Sequence, residues 1–370
     1  MTIYYIAYAT LCLIALIMQY ETKDNKRRSG VICSVGFMIF FIILALRHCY
    51  MGVDLACTYT GISMNGGYID SFEQLNKYSW GEILTMKEFL NYERGYIIFN
   101  KLVGSIYNNR QFFLGVCAFI NMLVTAVFIH KRTKLPLMAW MVFLGLPVFL
   151  MPFSGLRQAI AISITMISAQ WIEKKKIVPF ALAVLLASMF HYTAFIFLLA
   201  YPMYYVKLTE LQKTVFAMLI PVIYIIKAPL YMIGGRLFKD NVAVVDTGAG
   251  MLFFVFFLIY MFLIVSNSYQ RKDQNGYINL FYVACVCQAF GGVSQGAMRV
   301  GFYFMPYLAV VLPNTIYDFK NMDTSTSKRD FMLSYTLIFI AFLLFGLHSI
   351  SNGSWARSNP YVFFWQTVPI

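Results

Sequence analysis

Charge is what this sequence has least of. Only 12% of its 370 residues are Asp, Glu, Lys or Arg, and histidine occurs four times. A water-soluble fold of this length needs a charged surface, so that class is set aside. Also missing are the glycine-rich phosphate loop of nucleotide-binding proteins, the G-x-G-x-x-G turn of dinucleotide folds and any zinc-ligand spacing. The seven cysteines lie mostly within apolar runs, and Cys285 and Cys287 are not in C-x-x-C spacing. That excludes a disulfide-built domain and leaves one candidate pair, Cys49 with Cys57. No basic n-region or cleavage site opens the chain, so residues 3–20 read as a retained helix.

What the chain does have is apolar length. Sixty per cent of it is apolar, and the mean hydropathy is +0.67. Apolar runs of about 15–20 residues recur throughout, the signature of a polytopic helical membrane protein. A single integral membrane domain over 1–370 is expected. The net charge of +13 would suit a nucleic-acid binder. The basic residues, however, sit in short loops between spans, where they set orientation instead. No nucleic-acid partner is expected.

The order of runs and basic loops fixes a topology. Residues 3–20 precede Lys23, Lys26, Arg27 and Arg28, so this loop reads as cytoplasmic and the N-terminus as outside. Residues 31–46 return to the outer face. A long polar segment, 47–111, follows there, with the short apolar stretch 95–107 inside it. If 95–107 crossed, the basic loop His130-Lys131-Arg132-Thr133-Lys134 and every later one would fall outside. It is therefore expected to be interfacial or re-entrant. Runs at 112–129, 135–151, 155–171, 177–190, 191–206, 214–231, 250–266, 277–293, 300–317 and 331–347 then alternate. The result is an all-α transmembrane bundle of about 12 spans, with both termini and an aromatic tail, 350–370, outside.

On this topology the ionisable residues gather at one face. Arg47, Asp54, Glu93 and Arg94 come from the long outer segment. Arg157 opens one helix, His191 marks a hairpin tip, and Arg299 opens another helix. Guanidinium forks suit phosphate or pyrophosphate. His191, Asp54 or Glu93 would serve as general base. Each has a plainer reading: a snorkelling arginine, a surface ion pair, a turn aspartate, an interfacial histidine. The inner loops are too short to hold a nucleotide-sugar domain. Chemistry at the outer face would then use a lipid-linked donor.

The residues that carry these signals resemble the EpsG family of bacterial exopolysaccharide proteins, which are Wzy-like polysaccharide polymerases. The matching pieces, in order, are Ile3-Tyr4, Arg47, Gly52-Val53-Asp54, Tyr59, Tyr92-Glu93-Arg94-Gly95-Tyr96, Leu156-Arg157-Gln158-Ala159-Ile160-Ala161, Ala187-Ser188-Met189-Phe190-His191 and Arg299 with Tyr303-Phe304. The family usually has Asp-Thr where this chain has Asp54-Leu55. The resemblance implies a GT-C-like, metal-independent glycosyltransferase of the bacterial cytoplasmic (inner) membrane. It would join repeat units carried on undecaprenyl pyrophosphate, without a cofactor, alongside other polysaccharide-export proteins. Arg47, Arg157 and Arg299 would hold pyrophosphate. His191, Asp54 or Glu93 would activate the acceptor, and Gln158, Tyr59 and Tyr303 would contact substrate. A lipid-linked glycan flippase, a glycan ligase and an acyltransferase are the competing readings. Charge-poor spans count against transport, and no early-helix histidine motif supports acyl transfer.

Overall fold

In a computed structural model of the chain, residues 1–21, 24–55, 67–86, 89–237, 250–269, 274–320, 326–352 and 356–367 are described. Among these residues the fold is helical, with one isolated β-bridge between Arg47 and Phe363. Among the described residues four helices are long and apolar enough to cross a membrane, or up to seven if each of three bent pairs forms one span. The chain divides into two compact units. The first is 1–195 with 333–370, and the second is 196–332.

Unit one begins with α1 (Thr2–Glu21) and α2 (Asn25–Ala45). Asp24 accepts the Lys26 amide at 2.8 Å and so caps α2 six residues earlier than its apolar run alone suggests. Two short helices follow, α3 (Tyr68–Leu75) and α4 (Trp80–Thr85), then α5 (Arg94–Ile106). Next come α6 (Arg110–Arg132), α7 (Pro136–Gly145), α8 (Met151–Ser154), α9 (Leu156–Glu173) and α10 (Ile177–Ser188). The stretch 135–151, expected as one span, is broken. The chain bends by 72° between Pro136–Gly145 and Pro147–Ser154. Pro147 supplies no amide for a continuing helical ladder, and Gly145 and Leu146 end α7 before it. By contrast, α10 ends at Ser188 and a 3-10 turn, Tyr192–Leu199, follows, so the break near His191 is where the apolar hairpin needs it.

Contacts at the helix ends orient these elements. At one end, Ser29 meets His130 (3.0 Å) and Arg132 pairs with Glu173 (2.6 Å). At the other, Gln111 donates to the carbonyls of Ala45 and Arg47, the Asp54 amide donates to Ser154 Oγ (3.1 Å), and Arg157 meets Glu93. Both ends of α5 lie at this second end. Its first turn follows Glu93, and its exit leads directly to Arg110 and Gln111. Polar bonds inside the bundle join α6 to α9, where Ser163 Oγ donates to Asn121 Oδ1 (2.9 Å).

Unit two holds α11 (Ala200–Tyr205), α12 (Glu210–Ile225), α13 (Lys227–Leu237), α14 (Met251–Tyr269), α15 (Asn275–Ala289), α16 (Gln295–Gly301) and α17 (Leu308–Phe319). The run expected as one span over 214–231 bends by 79° between Glu210–Ile225 and Lys227–Ile233. The run at 300–317 is a pair, Gln295–Gly301 and Met305–Phe319, bent by 42°. The final helix, Ser327–Ser351, returns to unit one.

Candidate functional site

Gly155 ends α8 and caps α9, so Arg157 stands in the first turn of an 18-residue helix. A cation there opposes the helix dipole, at a cost of roughly 0.3–1 kcal/mol. Helix stability therefore does not explain its place. A helix N-terminus beside a guanidinium is, however, a strong setting for an anion. The protein supplies one itself. Glu93 Oε2 accepts from Arg157 Nη1 at 2.5 Å, with the two side chains 14% and 20% exposed.

Glu93 does more than pair with Arg157. Its other oxygen accepts the Tyr192 backbone amide at 3.0 Å. One carboxylate thus ties the start of α5 to α9 and to the turn that carries His191. A second bond reinforces the tie, from the Tyr96 amide to the Met189 carbonyl at 3.2 Å. Gly95 permits this approach, since a Cβ there would lie 2.8 Å from the Met189 carbonyl oxygen.

Aromatic rings enclose the guanidinium. Arg157 lies over the Tyr92 ring at 4.5 Å and near the Tyr68 ring at 5.9 Å. Its Nε donates to the Tyr68 hydroxyl at 3.4 Å, and Nη1 also reaches the Asn91 carbonyl at 3.4 Å. Burial pushes the Tyr68 hydroxyl up to about 12, so it remains protonated. Beneath these rings lies an apolar core that includes Leu55, Phe72, Phe113 and Leu156. A rigid bed thus supports the charged group.

His191 is half-buried beside this cluster. Its Nδ1 pairs with Thr193 Oγ1 at 2.8 Å, and its ring stacks on Tyr192 at 5.6 Å. Tyr192 is 71% exposed. Asp54 is exposed at the same end of the unit, where Gly52, with φ +119°, brings the chain against Phe153. The structure therefore brings Arg157, Glu93 and His191 into one bonded network and places Asp54 at the same end.

Arg47 does not join them. It is fully buried, with Nη1 donating to the Leu44 carbonyl (2.5 Å), Nη2 to the Pro152 carbonyl (2.6 Å), and Phe153 beneath it at 5.4 Å. The tail also closes over it, through bonds from the His48 amide to the Val362 carbonyl and from the Phe364 amide to the Leu46 carbonyl. Gln158 is 2% exposed and turns into the core. Arg299, half-buried, and Tyr303, fully buried, belong to unit two. Tyr59 lies outside the described residues. Cys49 is disulfide-bonded, while Cys57 also lies outside the described residues. Among the described residues no group of three His, Cys, Asp or Glu side chains could hold a metal ion.

Sequence reasoning did not single out Tyr68 or Tyr192. The second adjoins His191 directly and was visible; the first is 89 residues from Arg157 and reaches it only through the fold. It also passed over Lys227 and Gln288 in unit two, both buried. An ionisable residue inside an apolar run, as Lys227 is, is the signal that would have found the first.

The model of the EpsG family matches residues 30–363 of this chain. No curated protein and no solved structure matches it.

Proposed function

The chain belongs to the EpsG family, and from that premise we propose that it is a polysaccharide polymerase. It would join repeat units carried on undecaprenyl pyrophosphate into exopolysaccharide, capsule or O-antigen, at the outer face of the bacterial cytoplasmic membrane. The observation that carries this reading is Arg157. A guanidinium at the N-terminus of a long helix, paired with one carboxylate and set on aromatic rings, is a ready phosphate site.

The reaction follows from that placement. His191 takes the proton of an acceptor hydroxyl, with Thr193 fixing the ring through Nδ1. The hydroxyl oxygen bonds to the anomeric carbon of the growing chain. The bond from that carbon to the pyrophosphate oxygen breaks, and its electron pair leaves with the lipid pyrophosphate. Arg157 stabilises the departing charge. Asp54 is the second candidate base. Glu93, expected as a base, is already engaged at both oxygens, and we assign it the task of holding Arg157 and the His191 turn. Arg47 we assign to packing, since both of its Nη groups are bonded to backbone carbonyls and the tail closes over it.

The outer-face location has two supports. Cys49 is disulfide-bonded at the Arg157 end of unit one, and disulfides persist in oxidising compartments. The opposite end carries Lys26, Arg27, Arg28, Lys131, Arg132 and Lys174 to Lys176, as cytoplasmic ends do. A GT-C-like bundle of about 12 spans with both termini outside fits the same frame.

The test is the glycan of a strain carrying Arg157→Ala. Single repeat units at the outer face, with no longer polymer and normal amounts of protein in the membrane, are expected. Normal polymer would overturn the site. Units retained on the cytoplasmic side would make the protein a flippase.

A further inference from the structure

A polymerase handles two lipid-linked substrates at once, and unit one presents one phosphate site. Unit two holds a second group of donors, gathered where its span bends. Lys227 follows Ile226, the residue at the 79° break between α12 and α13, and is 2% exposed. Its ammonium donates to the Gly291 carbonyl at 2.9 Å and lies over the Tyr224 ring at 4.3 Å. An ionisable group buried in an apolar span is costly and marks a functional site by default. Broken helices at membrane depth point the same way.

The turn that Lys227 grips carries the second observation. Gln288 lies in the last turn of α15, and its carbonyl accepts the Gly291 amide at 2.9 Å. The side chain is 4% exposed, and its Nε2 has no hydrogen-bond partner among the described residues. A buried N–H without an acceptor is unfavourable unless an acceptor arrives. Gly292, with φ +84°, lets the chain reverse here. Ser294 then caps α16 by accepting the Ala297 amide at 3.1 Å. Arg299 stands on this helix, beside Met298, whose sulfur would lie 3.4 Å from a Cβ on Gly291.

An ammonium and an amide N–H are thus held around one turn, and a guanidinium is carried by the helix that follows it. All three are donors. We infer that Lys227, Gln288 and Arg299 form a second phosphate-binding site in unit two, which takes the pyrophosphate of a second lipid-linked substrate. The inference rests on the polymerase reading, because that reaction alone demands two such groups. The Gly291-Gly292 turn lies over the ammonium, and a phosphate oxygen would take the place of the Gly291 carbonyl as its acceptor.

The experiment counts sites. Full-length protein in lipid nanodiscs is titrated with radiolabelled farnesyl pyrophosphate, which carries no sugar and cannot react. Two equivalents per chain are expected for the native protein. Lys227→Met and Gln288→Leu should each leave one equivalent, and Lys227→Arg should restore the second. Arg157→Ala should leave one equivalent, and its combination with Gln288→Leu none. Gln288→Leu keeps the volume of a buried side chain, so it reports on the site even if Lys227→Met fails to fold. Inorganic pyrophosphate that displaces both equivalents would show that phosphate alone is read. Displacement of neither would show that the lipid is read with it. Two equivalents retained in Lys227→Met and Gln288→Leu would overturn the second site. The polymerase reading stands or falls separately, on polymer made by Arg157→Ala cells.

Discussion

Arg157 and Arg47 look alike in the sequence, each beside the end of an apolar run, and the fold gives them opposite surroundings. Arg157 meets a carboxylate and is a fifth exposed; Arg47 meets only carbonyls and rings and is sealed. Sequence spacing located Arg157, Glu93 and His191 because each flanks a turn. It did not reveal that Glu93 links the other two, since that depends on α5 and the 187–190 turn meeting in space. Glu93→Gln keeps an oxygen for the Tyr192 amide and removes the charge facing Arg157. It should destabilise the protein by roughly 1–3 kcal/mol, the scale of a hydrogen bond to a charged group. Thermal unfolding in detergent measures this, and shortened polymer should accompany it. Arg47→Ala should act differently. It strips donors from two buried carbonyls at roughly 1–3 kcal/mol each, so the amount of folded protein in the membrane should fall. Normal protein levels with loss of polymer only would return Arg47 to the ligand site.

At the scale of elements, the long helices were legible and the bends were not. Hydropathy counts apolar residues and is blind to direction, so 135–151 and 214–231 each read as one straight span. The physical causes were nevertheless present as Pro147 within one run and Pro229, three residues past the break, within the other. The short helix α5 shows the reverse case. Thirteen residues are about 20 Å of helix, too little for the roughly 30 Å of a hydrocarbon core. Its two ends lie at the same end of unit one, and Gly95 seats its first turn on the Met189 backbone. Gly95→Ala places a Cβ 2.8 Å from the Met189 carbonyl oxygen, and a backbone atom cannot rotate away. Overpacking of this kind costs roughly 1–3 kcal/mol. The same change should pull the His191 turn from Glu93, so polymer should shorten even at temperatures where the protein stays folded. Full-length polymer from a normally folded Gly95→Ala variant would mean that the α5 contact does not serve the site.

For the whole molecule, the informative contact is between the two ends of the chain. The Met1 ammonium donates to Asn359 Oδ1 at 3.3 Å, and the Tyr4 hydroxyl donates to the Ser358 carbonyl at 2.7 Å. Residues 1 and 359 therefore share one end of unit one, and the chain between them crosses an even number of times. Length and composition give four spans, or up to seven, among the described residues. The helix α9 fails that measure and still joins the two ends of unit one. It runs from Arg157 at one end to Glu173 at the other, but its Ser, Thr and Gln residues lower its hydropathy. The final helix runs antiparallel to α1, since Gly346 lies against the Tyr8 hydroxyl while Ser358, past the helix's C-terminal end and bonded to Ile350, meets Tyr4. Single cysteines placed after Met1 and at Asn359, in a chain whose native cysteines other than Cys49 and Cys57 are replaced, test the even count with a membrane-impermeant maleimide. Labelling of both in intact cells is expected, together with protection of a cysteine at Lys174. Labelling of only one terminus would break the even count. Labelling of Lys174→Cys instead of the two ends would turn the whole site, Arg157 included, toward the cytoplasm and remove the case for a lipid-linked donor.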